Sequence, residues 1–353
     1  MSFKRLEAED FLVSADAVQS VAWSTGLPIL TSFFTSSAQR AGTTGNYYLS
    51  VYDVDARQDE SECQFQISYG NKHGLGSTPY NYLYPQYSPS STIYGQYRSM
   101  ILEDENAVFI TGVGATGQTT VSTSSAVTEM KDFWVITPDR ARYKQSMFPG
   151  TFNLHLDDGN NTLHLTDNSN DTTLQSFLGS SKVYQLISGS DGTAKDENNE
   201  IMSNGGYTES SGSYGLFFPD LGVIMLNPDA INTVLNSPPE IDEDVPNGEN
   251  NLKAFTLIKQ GKHFQLNASE TITSDYIFIR SRNSEFNYSE NPSFISGSTG
   301  EIIYDTFINN PQVYPTTVGL YNDANELMAV AKLSKPLLKD FTKESLIRVK
   351  LDF

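Results

Sequence analysis

The sequence predicts a mainly β fold, with antiparallel β-sandwich domains, long polar loops and few short helices. Three observations predict it. Apolar and polar residues alternate with a period of two in short runs along the chain, as half-buried strands require. Clusters of Gly, Asn, Asp, Ser and Pro separate those runs, and each of these residues forms turns for its own steric reason. Helix-start signals are sparse.

Taken in order, Ser14-Ala15-Asp16-Ala17-Val18 reads as the start of a short helix. Strand patterns follow at 47–52, 64–69, 107–111 and 133–137, each rich in β-branched and aromatic residues. Further strands are expected at 152–156, 182–187, 222–226, 255–258, 276–280 and 313–321. Asn227-Pro228-Asp229-Ala230-Ile231 combines a capping Asn with Pro at the first helical position, so it predicts a helix. The clearest strand is the last one. There Ile347, Val349, Leu351 and Phe353 alternate with Arg348, Lys350 and Asp352, which places the two sets on opposite faces.

A chain of 353 residues suggests about two domains. The expected organisation is a β-rich region at 1–146, a sandwich-like middle domain at 147–236 and a C-terminal β domain at 252–353 that packs with the N-terminal region. Between them, 237–251 reads as an acidic, Pro-rich linker or loop. It contains Pro238, Pro239 and Pro246 with Glu240, Asp242, Glu243, Asp244 and Glu249. The polar stretches 157–170 and 188–213 read as loops projecting from the middle domain. No internal repeat of fixed period is present.

Composition narrows the function classes. With 42 acidic and 23 basic side chains the net charge is −19, so coating nucleic acid with Lys and Arg is excluded. Cys63 is the single cysteine, which excludes intrachain disulfides and thiolate zinc cages. No signal peptide is expected from the first residues, and no run of about twenty apolar residues implies membrane insertion. The 20 Phe and 19 Tyr supply large surfaces for burial in cores and interfaces.

The candidate chemistry is thin. Gly112-Val113-Gly114-Ala115-Thr116-Gly117-Gln118-Thr119 satisfies GxGxxG after a strand-like run. A phosphate site there needs a helix immediately afterward, and Thr120-Val121-Ser122-Thr123 disfavours one. Gln118 also stands where a phosphate loop needs Lys, so the segment reads as a flexible β-hairpin loop and no cofactor is expected. His155 and His164 fall on neighbouring strands, but the alternation of Leu154, Leu156, Leu163 and Leu165 turns both imidazoles to solvent. Asp167, Ser169 and Asp171 begin like a calcium loop. Thr172 and Leu178 occupy the positions where such a loop needs glycine and an acid, and no metal is expected. No G-x-S-x-G elbow occurs. Cys63 sits in a strand pattern as an inert thiol, and Glu103, Asp104 and Glu105 form a solvated acidic turn. No catalytic constellation emerges, and the chain is expected not to be an enzyme.

The basic residues carry more information than their number. Arg140, Arg142 and Lys144 interleave with Tyr143, and Lys335, Lys339 and Lys343 belong to a locally basic C-terminal region of an acidic chain. Together these six form the candidate docking surface for an acidic neighbour, where charge complementarity sets register.

Several segments bear a collective likeness. They are Lys4-Arg5-Leu6-Glu7-Ala8-Glu9-Asp10-Phe11, Tyr94-Gly95-Gln96-Tyr97-Arg98, Asp139-Arg140-Ala141-Arg142-Tyr143-Lys144 and Phe148-Pro149-Gly150-Thr151-Phe152. The longest is 314–353, which contains Val318-Gly319-Leu320-Tyr321-Asn322 and Leu327-Met328-Ala329-Val330-Ala331-Lys332-Leu333. Together they resemble virion structural proteins of contractile-tailed phages, especially the T-even-type myoviruses of marine cyanobacteria. The resemblance implies a virion component, a tail or baseplate subunit acting by protein–protein contact. Its implied partners are other tail or baseplate proteins and copies of itself. The resemblance brings no catalytic residue and matches no single wedge component. Two alternatives stay open: a tail fibre or receptor-binding module reading a host glycan with the loops around Asn160 and Gly205, and a tail-associated glycan hydrolase. Exposed aromatics in a shallow groove favour the former, and carboxylates facing each other across a cleft favour the latter.

Overall fold

Side-chain alternation in the strands sends successive residues to opposite faces of one large antiparallel sheet, and both faces are apolar. The computed structural model describes residues 4–35, 48–74, 89–112, 127–170, 176–178, 180–208, 211–239, 249–289 and 291–352. Residues 113–119 of the glycine motif, Asp171, Thr172, 240–248 of the acidic stretch and Phe353 lie outside the described residues.

In chain order the first elements are β1 (Phe11–Val21), β2 (Ile29–Leu30), β3 (Phe34–Thr35), β4 (Leu49–Tyr52), β5 (Cys63–Asn71), α1 (Ser90–Ile101), β6 (Phe109–Gly112), β7 (Val127–Met130) and β8 (Asp132–Pro138). They are followed by α2 (Arg140–Tyr143), β9 (Ser146–Met147), β10 (Asn153–Asp157), β11 (Thr162–Asp167), β12 (Ser176–Leu178), β13 (Ser181–Ser190), β14 (Thr193–Ala194), β15 (Gly215–Phe218) and β16 (Val223–Leu226). The last are α3 (Pro228–Ile231), α4 (Glu249–Gly261), β17 (Phe264–Gln265), β18 (Asn267–Ser281), α5 (Asp305–Asn309), β19 (Thr317–Tyr321), β20 (Leu327–Lys332) and β21 (Ser345–Asp352). Strands hold 42% of the residues against 14% in helices, so the mainly β expectation stands. The pairing order of the larger unit draws one large curled sheet.

Two compact units form, Val18–Glu270 and Met1–Ala17 with Thr271–Phe353. In the larger unit the strands run β2-β17-β10-β11-β13-β15-β16-β8-β5-β4-β3. The division expected at 146/147 does not occur, because β16 pairs with β8 and joins 147–236 to the preceding strands in one ladder. Phe133 through Ile136 on β8 are all 0% exposed. Trp134 and Ile136 join one core with Phe65, Ile67, Phe217 and Ile224. Phe133 and Val135 join a second core with Leu216, Phe218 and Met225 on the other face.

Phe65 on β5 and Phe264 on β17 are far apart in strand order, yet their rings lie 5.3 Å apart, edge to face. The sheet therefore curls back on itself around the first core. Two indoles fix the curl. Trp23 Nε1 donates to the Phe264 carbonyl at 2.8 Å, and Trp134 Nε1 donates to the Asn250 carbonyl at 2.9 Å, so each buries a large apolar ring without losing its polar handle. The second core is closed by α1, through Tyr94 and Ile101. Gly70 allows this approach, since a Cβ there would lie 2.7 Å from the Phe133 ring and 3.1 Å from the Tyr94 amide nitrogen.

Two sequence expectations are overturned here. Residues 255–258 are helical, within α4, and not a strand. Asn250, Asn251, Ala254, Phe255, Leu257 and Ile258 form the buried face, a helical spacing in which the polar Asn residues mask the apolar period. Ser14 to Val18 is strand, within β1, because pairing with β18 overrides the weak helix preference of its two alanines. The helix predicted at Asn227 forms as α3, and the Asn227 side chain accepts from the Asp229 amide.

In the smaller unit β18 pairs with β21 over eight residues, Ser274↔Asp352 through Ser281↔Ser345, and β1 lies along the other edge of β18. A separate two-stranded ribbon is formed by β19 and β20. Lys4 joins this unit together by an ion pair to Glu285 at 3.0 Å.

Candidate functional site

The six expected docking residues fall into distinct environments. Asp139 caps α2 by accepting from the Ala141 amide at 2.9 Å, which fixes the turn bearing three of them. Arg142 pairs with Glu62 at 2.9 Å, and Lys144 pairs with Glu270. The Arg140 guanidinium lies 4.7 Å over the Tyr143 ring. Two of these three charges are thus answered by carboxylates of the same unit. Lys335 and Lys343 are exposed. Lys339 corrects the expectation: it is 0% exposed, and its Nζ donates to Asn287 Oδ1 at 2.7 Å. A backbone bridge between Val313 and Lys339 turns this side chain inward, and burial pulls its pKa down. It cannot belong to an exposed charged surface.

Apolar exposure marks the smaller unit more strongly than charge does. Leu327, Met328 and Val330 on β20 are 53%, 69% and 59% exposed. Met328 and Val330, two positions apart, share one face of the ribbon, and the register shifts opposite Leu320/Tyr321, where Leu327 and Met328 form an irregularity of the bulge kind. Phe11, Leu12 and Val13 are likewise exposed at the start of β1. Inside this unit, the buried apolar side chains among the described residues are Ile277 and Val349, which face each other across β18 and β21. The other buried side chains are polar: Ser274, Ser281, Asn287, Lys339 and Ser345. No single residue type in the sequence announces this surface. The signal available was the alternation at 313–321 without a buried counterpart.

A cleft of about 270 Å³ opens between α1 and the sheet in the larger unit. One helical face contributes Ile93, Gln96, Tyr97 and Met100, at the spacing i, i+3, i+4 and i+7. Opposite it stand Gln66 and Ser68 on one face of β5, with Tyr48 and Thr137. Among the described lining residues there is no carboxylate and no cation. Amides, hydroxyls and aromatic rings of this kind suit a neutral, polyhydroxylated ligand.

Three histidines meet on the sheet surface. His155 and His164 are directly opposed on β10 and β11, with rings 3.8 Å apart, and His263 stacks on His155 at 4.1 Å. The rings are within 17° and 10° of parallel, so their in-plane lone pairs run side by side and do not converge on one ion. Among the described residues no group of His, Cys, Asp or Glu is arranged to hold a metal. Burial, then the neighbouring imidazoles, pulls the His155 pKa down to about 3. His263 lies 99 positions beyond His164 in sequence, and no local pattern could have brought it in.

A strongly perturbed acid is Asp132, at the start of β8. Tyr69 Oη donates to Asp132 Oδ2 at 3.0 Å, and Asn71 Nδ2 donates to Tyr69 Oη at 3.3 Å. Burial pushes the carboxyl up to about 6, and it pushes the Tyr69 phenol up as well, which keeps Tyr69 a donor. Asp167 is also buried. Its oxygens accept from the Gly150 and Ser169 amides at 2.8 and 3.0 Å, so the candidate calcium acid serves as a loop clamp. Cys63 is half-buried, and burial raises its thiol pKa, which leaves a poor nucleophile.

No known protein family, curated protein or solved structure matches this chain.

Proposed function

We propose that the chain is a phage virion structural protein, a baseplate or tail subunit that works through protein–protein contacts in a contractile tail. The observation that carries this reading is the smaller unit, with its apolar residues outside and polar residues within. Exposed apolar patches of this extent mark interaction surfaces in proteins that are otherwise soluble. The resemblance of 314–353 to virion proteins falls on the same unit, and the two arguments are independent. The proposed partners are other tail or baseplate proteins, and the proposed location is the virion. Mass spectrometry of purified particles, followed by imaging of the tail tip, tests it. The protein is expected at stoichiometric amounts in the tail. Its recovery from the soluble fraction of infected cells, with none in particles, would overturn the reading.

The neutral cleft under α1 favours a second reading, a module that recognises a host surface glycan. Titration of the protein with host polysaccharide, with Tyr97→Ala as the comparison, separates the two. Saturable binding lost in the variant supports recognition, and its absence supports assembly alone.

A further inference from the structure

We propose that the smaller unit is a self-association module whose apolar interior is completed by the same unit of a second copy of this chain. The inference builds on the assembly reading and names the partner. Its ground is a mismatch between size and core. The unit spans Met1–Ala17 and Thr271–Phe353. Ile277 and Val349 are its buried apolar side chains among the described residues, and five buried side chains are polar. Among the described residues, fifteen of the 24 exposed large hydrophobics belong to this unit, although the larger unit is about two and a half times longer. A chain segment of about 100 residues offsets its conformational entropy chiefly by burying apolar surface, and among the described residues this one fully buries two apolar side chains, leaving others such as Phe278, Phe294 and Ile347 half-buried.

Local structure gives the same result. β19 and β20 form a ribbon of two strands, and isolated ribbons of this kind are marginal in water. In the ladder β1-β18-β21, the outer strands each have one edge without a further strand among the described residues. Open edges with apolar side chains are templates for pairing with another chain.

Area and charge both select a copy of the chain as the occupant. Fifteen side chains at about half exposure present on the order of 1,500 Å² of largely apolar surface over all faces of the unit, so about half of it gathered on one face matches the roughly 800 Å² per partner of a standard stable interface. The smaller unit carries 10 basic and 14 acidic residues, interspersed, whereas the larger carries 13 and 28. Copies of the larger unit repel one another. The smaller unit lacks the excess of one sign that would draw in nucleic acid or an oppositely charged protein, and its mixture of signs is compatible with itself.

Sedimentation of the purified full-length chain, from about 0.5 to 50 µM, reads the proposal directly. An oligomer at a multiple of 39.1 kDa is expected at the upper end. The combined variant Leu327→Lys, Met328→Lys, Val330→Lys alters exposed positions, so it should keep the fold and weaken association by about tenfold or more. The comparison variant Ile201→Lys, Leu252→Lys changes exposed apolar residues of the larger unit and should leave the mass unchanged. Hydrogen exchange on the unmodified protein is the second measurement. Amides of β1, β19 and β20 should be protected at high concentration and lose protection on dilution. A monomer at every concentration, or exchange that ignores dilution, would overturn self-association. A chain that is monomeric alone but still found in particles would leave the assembly reading standing and assign this surface to a different tail protein.

Discussion

Replacing Asp132 by Asn should stabilise the protein at neutral pH and destabilise it slightly in acid. The carboxyl is 5% exposed and sits at about 6 against an ordinary 3.8. At 1.36 kcal/mol per pKa unit, that gap is worth about 3 kcal/mol. Because the folded pKa lies above the unfolded one, the stabilising contribution of the protonated acid is fully present below about pH 3.8. It is lost as pH rises through about 6. Asn stays neutral throughout, and its Oδ1 can still accept from Tyr69. Its Nδ2 replaces the second carboxylate oxygen, beside the backbone amide of residue 132 itself, and leaving it unpaired costs about 1 kcal/mol. The variant should therefore be about 2 kcal/mol more stable than wild type at pH 8 and about 1 kcal/mol less stable near pH 3. Urea unfolding followed by circular dichroism at both pH values measures each difference. Parallel stability curves across that range, or a variant weaker than wild type at pH 8, would refute the claim that Asp132 is held charged and poorly solvated.

The imidazole stack predicts the opposite pH slope. His155 has its pKa pulled from 6.5 to about 3, so its contribution is present above about pH 6.5 and lost as pH falls towards 3; His155→Gln should remove roughly 1 kcal/mol of that acid lability, a figure reduced because the ring is partly solvated. Thermal unfolding of wild type and variant at pH 7 and pH 4.5 checks it, and equal acid lability in both would count against the stack. Gly70→Ala should cost about 1–3 kcal/mol, since its Cβ must displace the Phe133 ring against the backbone of α1, and an unchanged melting temperature would contradict that packing.

Many strands of the larger unit were legible because their side chains face two cores and obey a period of two, as at β8 and β10, whereas β11 lies within 157–170, whose Asp and Asn residues read as a polar loop. Three features were hidden for different reasons. α1 contains Ser, Thr, Ile, Tyr and Gly95, residues of modest helix propensity, and it forms because Ile93, Tyr94 and Ile101 dock on the sheet. The helical period of α4 was obscured by Asn250 and Asn251 on its buried face. The domain division failed at 146/147 because strand pairing across the sheet is non-local: β8 meets β16 some ninety positions later. At the candidate surface, charge pointed to Lys335, Lys339 and Lys343, but the direction of Lys339 is set by Val313, and only the folded chain makes that neighbour known. The more informative property was the failure of 317–332 to find a buried side, which depends on what the rest of the unit does not cover.

Trp23 and Trp134, which fasten the curled sheet to β17 and α4, are the two tryptophans of the whole chain, and both lie in the larger unit. Indole emission consequently reports on that unit alone. The smaller unit contributes Tyr276, Tyr288, Tyr304, Tyr314 and Tyr321 and no indole. Excitation selective for tryptophan follows the curl of the sheet, so the larger unit carries its own optical label without any added dye, while tyrosine absorbance reports on both units together.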